Sequence, residues 1–142
     1  MANLSALLKV DSDLKNLSVI RSFIEDAAAR VGLSEEGVSK IRLAVDEACA
    51  NIIQHGYGDN DGEIRLEAKQ ADGKLVVTLV DDAPPYNPLT ETSAPDMSVP
   101  LEDRPLGGMG VLLVKQNTDA AEYRSTDSGG NALILTMHCP TN

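Results

Sequence analysis

The chain has 142 residues, with 12 Lys and Arg against 22 Asp and Glu and a formal net charge of −10. Its length fits a single domain, 1–142, built on one core, and a composition of 42% hydrophobic and 24% charged residues is that of a soluble globular protein. So acidic a chain is a poor match for a nucleic-acid backbone, which is gripped by clustered Lys and Arg, and direct nucleic-acid binding is not expected.

The N-terminus, MANLSALLKVDSD, lacks the basic start and long apolar run of a secretory signal. No stretch approaches the roughly 18 apolar residues of a membrane span, so a cytoplasmic protein with no membrane contact is expected. Leu4 to Val10 reads as an edge strand. Asp11, Ser12 and Asp13 offer capping oxygens, and Leu14, Leu17, Ile20, Ile24, Ala27 and Val31 recur at helical spacing, which predicts a helix over 13–31. Gly32 suits the left-handed residue that follows a helix. Ser34 caps a second helix, and Glu35 and Glu36 complement its N-terminal dipole. Its apolar stripe runs through Val38, Ile41, Val45, Ala48 and Ile52, and it is expected to end at Gly56 or Gly58.

Beside that stripe lie Glu47 and Asn51, four apart and so one turn apart on the same face. An acid and an amide there fit a metal-ion site with an activating base, or simply a solvated helix margin. Cys49 reads as a small buried residue. Cys49 and Cys139, like His55 and His138, have no metal-ligand spacing.

Asp59 to Gly62 is a turn cluster. Ile64, Leu66 and Ala68 alternate with charged residues, which predicts a strand with one buried face. Ala71-Asp72-Gly73 turns into a second strand, Lys74 to Asp81, whose nearly continuous apolar run predicts a central strand covered on both faces. Periodicity then stops. Asp82 to Leu106 holds six of the seven prolines, and a loop of about 25 residues in a compact domain is commonly a lid or a binding loop. Gly107-Gly108-Met109-Gly110 closes it and opens a helix, Val111 to Gln116. Strands are expected at Ala121 to Thr126 and Ala132 to His138, joined by a turn at Asp127 to Gly130. Helices and strands fall in separate blocks, so the expected fold class is α+β: a two-layer sandwich of a mostly antiparallel sheet with helices on one face.

Three features stand in order: Glu47 and Asn51 on a helix, Asp81 ending a strand, and a glycine turn opening a helix. Asp81 could merely stop its strand. The glycines could cradle phosphates with free backbone N–H groups or simply make a turn. The P-loop pattern and the eukaryotic-type protein-kinase motif set are absent.

Together these features resemble the ATP-binding fold of the GHKL superfamily (gyrase, histidine kinases and MutL), and most of all its small anti-sigma factor serine kinases of the RsbW type. The N box matches Glu47, Asn51, His55 and Tyr57 in LAVDEACANIIQHGY. The first glycine box matches VDDAPPYNP, from Val80 to Pro88, with Ala83 standing where the family has glycine. The second matches GGMGVLLVKQNTDAAEY, from Gly107 to Tyr123, and GGNALILTM resembles the family's last strand.

The resemblance implies ATP and Mg²⁺ as cofactors and an ATP lid at about 82–106. It implies that Asp81 accepts the adenine amino group, with Ala83 beside it, and that Asn51 is the Mg²⁺ ligand. Gly107, Gly108 and Gly110 would approach the phosphates, and Glu47 would be the general base toward a substrate serine. Arg104 is either a phosphate or partner contact or a solvated charge. The implied activity is a protein-serine kinase that sequesters a sigma factor and phosphorylates a STAS-domain anti-sigma factor antagonist, with room for a homodimer. The alternatives are a partner-sequestering module with little or no transfer, and the catalytic half of a histidine kinase acting in trans.

Overall fold

The structure, a computed structural model, describes residues 4–91 and 113–140. Strand β1 (Ser5–Asp11) leads through a 3₁₀ turn (Leu14–Asn16) into helix α1 (Leu17–Arg30) and helix α2 (Glu35–Asn51). The axis of α2 continues as a π-helical turn, Ile52–Tyr57. A hairpin of β2 (Glu63–Ala71) and β3 (Lys74–Asp81) follows, then a one-turn helix α3 (Pro88–Glu91), a helical turn at 113–116, and the hairpin β4 (Ala120–Ser125) and β5 (Asn131–His138).

The five strands form one sheet in the order β1-β2-β3-β5-β4, every neighbouring pair antiparallel. The expected α+β sandwich is the one observed. One sheet face, carrying Ile64, Leu66, Ala68, Leu75, Val77, Leu79, Leu133, Leu135 and Met137, is buried together with Ile20, Ile24, Ala27 and Ala28 of α1 and Ile41, Ala44, Val45, Ala48 and Cys49 of α2. Fully burying each large aliphatic side chain contributes about 1.5–3 kcal/mol, so this one interface dominates the stability. Cys49 is fully buried and burial raises its thiol pKa, which makes it an inert core residue.

Local chemistry explains the element ends. Ser34 Oγ accepts from Gly37 N–H at 3.1 Å and caps α2, and Gly32, at φ +82°, releases the chain from α1. Asp72 and Gly73 both take positive φ, the two-residue turn whose twist matches a β-hairpin. Two expectations change. The helix expected over 13–31 starts with a 3₁₀ turn, because Asp13 Oδ1 captures Lys15 N–H and tightens the first turn. Strand β3 is central but is covered on one face only: Leu75, Val77, Leu79 and Asp81 are buried, while Val76, Thr78 and Val80 are half-buried. Branched side chains suit a pleated surface whether or not it is covered, so a run of them does not report two-sided burial.

Candidate functional site

A cleft open to solvent, with about 620 Å³ of space between its walls and mouth, lies between the C-terminal end of α2 and the ends of β3 and β5. Ala48, Asn51, Ile52 and Gly56 form one wall, and Asp81, Asn131, Leu133 and Tyr123 form the floor. Pro84, Tyr86, Pro88, Leu89 and Val114 form the far side. This is a mostly apolar slot with a carboxylate and two carboxamides, the kind of lining found in small-molecule sites.

Strand alternation selects one acid of the Asp81-Asp82 pair. Asp81 shares the buried face of β3 with Leu79 and is 3% exposed. Asp82 is exposed, where both guanidinium ends of Arg65 hold it at 3.1 and 3.3 Å. Asp81 Oδ1 accepts from Ala83 N–H at 3.0 Å and from Asn131 Nδ2 at 2.8 Å. Its Oδ2 has no partner among the described residues, although Asp81 lines the cleft. Burial raises the pKa of Asp81, and the bonds from Asn131 and Ala83 pull in the opposite direction.

The π-helical turn brings Tyr57 beneath this strand end. Its hydroxyl donates to Glu63 C=O and accepts from Asp82 N–H, both at 2.7 Å, tying the start of β2 to the residue after Asp81. Gly62 is required there, because a Cβ would overlap the Tyr57 ring. Tyr57→Phe leaves both backbone groups without that partner and should cost about 1–3 kcal/mol, read as a lowered urea midpoint. Gly130 is required for a similar reason, since a Cβ would run into the Asp81 carbonyl.

The candidate residues take different places. Asn51 and Asp81 line the same cleft. Glu47 lies one turn before Asn51 on α2, half-buried and outside the lining. Ala83 is buried behind the slot with an ordinary negative φ. A Cβ built on Gly56 would lie 3.3 Å from the Ala83 methyl, so the bare Gly56 gives that methyl its space. Gly107, Gly108, Gly110 and Arg104 lie outside the described residues, as does 92–106 of the expected lid. The part of that segment nearest the site is anchored: Tyr86 N–H donates to Asn131 Oδ1 at 2.9 Å, and Pro88–Glu91 forms α3. The matched motifs contain Tyr86, Tyr123 and Asn131 without pointing to them as site residues, and nothing in the sequence points to Leu89.

The model of a family described as the histidine kinase-like ATPase domain matches residues 10–137, and the chain belongs to that family. It is similar to proteins called serine-protein kinase RsbW from Bacillus thuringiensis (strain Al Hakam) and from Bacillus cereus. Each is 26% identical over 134 residues, covering 92% of this chain and 82% of the relative. A crystal structure of the RsbU and RsbW domains of a Mycobacterium tuberculosis protein shares the fold, with a TM-score of 0.68 at 17% identity over 98% of this chain. This chain spans 33% of the length of that one. Among the described residues no helix is long and apolar enough to cross a membrane.

Proposed function

We propose that this protein is an ATP-dependent protein-serine kinase that also acts as an anti-sigma factor in the cytoplasm. It holds a sigma factor inactive and phosphorylates a STAS-domain antagonist. The observation that carries the reading is one apolar slot lined by both Asp81, with a free oxygen, and Asn51. A flat heterocycle with an exocyclic amine fits such a slot, because the walls take its faces and the free Oδ2 takes the amine. Two facts support kinase chemistry: the family to which the chain belongs, and the serine-protein kinase activity for which its RsbW relatives are named.

The amide of Asn51 suits Mg²⁺, a hard cation that prefers oxygen ligands. Among the described residues no group of three His, Cys, Asp or Glu could hold a metal ion. A Mg²⁺ at Asn51 would therefore draw its other ligands from phosphates and water, as is usual at nucleotide sites. Bound there, it would neutralise charge on the phosphates. The protein's own part is to seat the base on Asp81, hold the phosphates near the α2 terminus, and present Glu47 as acceptor of the serine proton. Gly107, Gly108 and Gly110 are assigned to the phosphates on the resemblance alone.

The test is incubation with labelled ATP, Mg²⁺ and candidate STAS-domain antagonists, with ATP affinity measured by calorimetry. Expected is phosphoserine on the antagonist. A protein that binds ATP and partner without ever transferring phosphate is a sequestering module, and one that binds no ATP at millimolar concentration overturns both readings. Affinity should also weaken on acidification. The raised pKa of Asp81 means that its accepting carboxylate is lost at a higher pH than for an ordinary Asp.

A further inference from the structure

We propose that Asn131, locked by Tyr123, is the positioning residue of the base-binding end of the slot: it occupies one oxygen of Asp81 and leaves the other as the acceptor that distinguishes a 6-amino purine from a 6-oxo purine. This rests on the nucleotide reading above and goes beyond it by assigning specificity to a residue of the slot floor that acts by holding Asp81.

The geometry is a closed network at a buried position. Asn131 is 8% exposed. Its Nδ2 donates to Asp81 Oδ1 at 2.8 Å and to the carbonyls of Ala83 and Pro84, each at 3.2 Å. Its Oδ1 accepts from Tyr86 N–H at 2.9 Å and from the Tyr123 hydroxyl at 2.6 Å. Donors surround the oxygen and acceptors surround the nitrogen, so the amide has one sensible orientation. A rotation of Asp81 would break its bonds to both Asn131 and Ala83 N–H. A carboxylate held this way meets an incoming amine without reorganisation, and it presents only repulsion to a 6-oxo group.

Asn131→Asp tests the division of labour. The aspartate keeps the shape and the acceptor toward Tyr86 and Tyr123, but it turns an oxygen toward Asp81 Oδ1. Two carboxylates at that distance share a proton when they can and repel when they cannot. Among the described residues the other groups around Asp81 are Asp82 and Arg65, paired with each other, and Tyr57, Cys49, Asn51 and Tyr123. The shared proton is therefore the group expected to titrate in the variant. Relative to wild type at each pH, the ATP affinity of Asn131→Asp should fall about 10-fold or more at alkaline pH and recover toward acid.

The second variant, Tyr123→Phe, removes the hydroxyl that fixes the amide. It should weaken ATP binding by about 3- to 10-fold and leave the affinity for inosine triphosphate unchanged, so that the ratio between the two falls. Both variants are measured by calorimetry on the intact protein, with thermal unfolding alongside. A pH-independent loss in Asn131→Asp, or ATP and inosine triphosphate affinities that move together or not at all in Tyr123→Phe, would overturn the assignment. If Asn131→Asp does not fold, Tyr123→Phe decides alone. A wild type that binds no ATP sinks the nucleotide reading itself, whereas a wild type that binds ATP with flat variant ratios sinks only the role of Asn131.

Discussion

Asp81→Asn is expected to abolish ATP binding while leaving the protein as stable as wild type or more so. The amide keeps an oxygen for Ala83 N–H and Asn131 Nδ2, so the strand end survives. At the free position it offers an NH₂ to the amine of the base, where the wild type offers an acceptor. Losing a hydrogen bond to a charged group and gaining a donor–donor clash should lower affinity by about 100-fold or more. Stability moves the other way. Burial raises the folded pKa of Asp81 above its ordinary value. The folded state therefore binds the proton more tightly than the unfolded chain. The stability contribution is full below the ordinary Asp pKa and is lost as pH rises through the folded value. At neutral pH the ionised carboxylate costs the fold something, and the amide removes that cost. Urea unfolding should show the variant matching or exceeding wild type at neutral pH, the gap closing toward about pH 4. A variant that loses binding together with stability would mean that Asp81 is structural.

Glu47→Gln and Asn51→Ala should separate two steps that lie one turn apart on α2. Glu47 stands outside the slot, so its amide variant should bind ATP nearly as wild type does. If Glu47 accepts the serine proton, phosphate transfer should fall by roughly 10²–10⁴. Asn51 lines the slot, so truncating it should weaken Mg²⁺-ATP binding and transfer together. Single-turnover transfer to the antagonist, with affinity measured in parallel, reads both. Wild-type transfer by Glu47→Gln would return Glu47 to an ordinary helix-margin acid.

Much of this was legible along the chain because it is local. The stripe from Ile41 to Ala48, the Ser34 cap, the Asp72-Gly73 turn and the acid at the end of β3 depend on neighbours within a few residues. Asn131 was not legible. It falls between the expected turn, which ends at Gly130, and the expected strand, which begins at Ala132. Its role exists only once the β3–β5 register sets it opposite Asp81, and no local pattern encodes that pairing. The π-helical turn was hidden for a related reason. The glycines suggested where α2 ends, but the wider turn that brings Tyr57 to Asp82 is settled by a hydrogen bond across 25 residues. Ala83 was a departure whose answer, Gly56, lies in another motif.

Asp81 and Asn131 form the last rung of the β3–β5 ladder, although the chain leaves the sheet at Asp81 and first returns to it at Ala120, on the edge strand β4. Insertions or deletions within 92–112 fall between α3 and the helical turn at 113–116, away from the rung in sequence. Doubling the length of a chain connection costs only about 0.6 kcal/mol of closure entropy by the polymer rule, and it leaves the rung where it is. A slip of one residue in β5 would instead turn Asn131 to the opposite face and leave Asp81 without it. Variation in this protein should therefore be permissive in length within 92–112 and strict in pairing at Asp81 and Asn131, so that the chain can grow or shrink there while the register at the cleft floor stays unchanged.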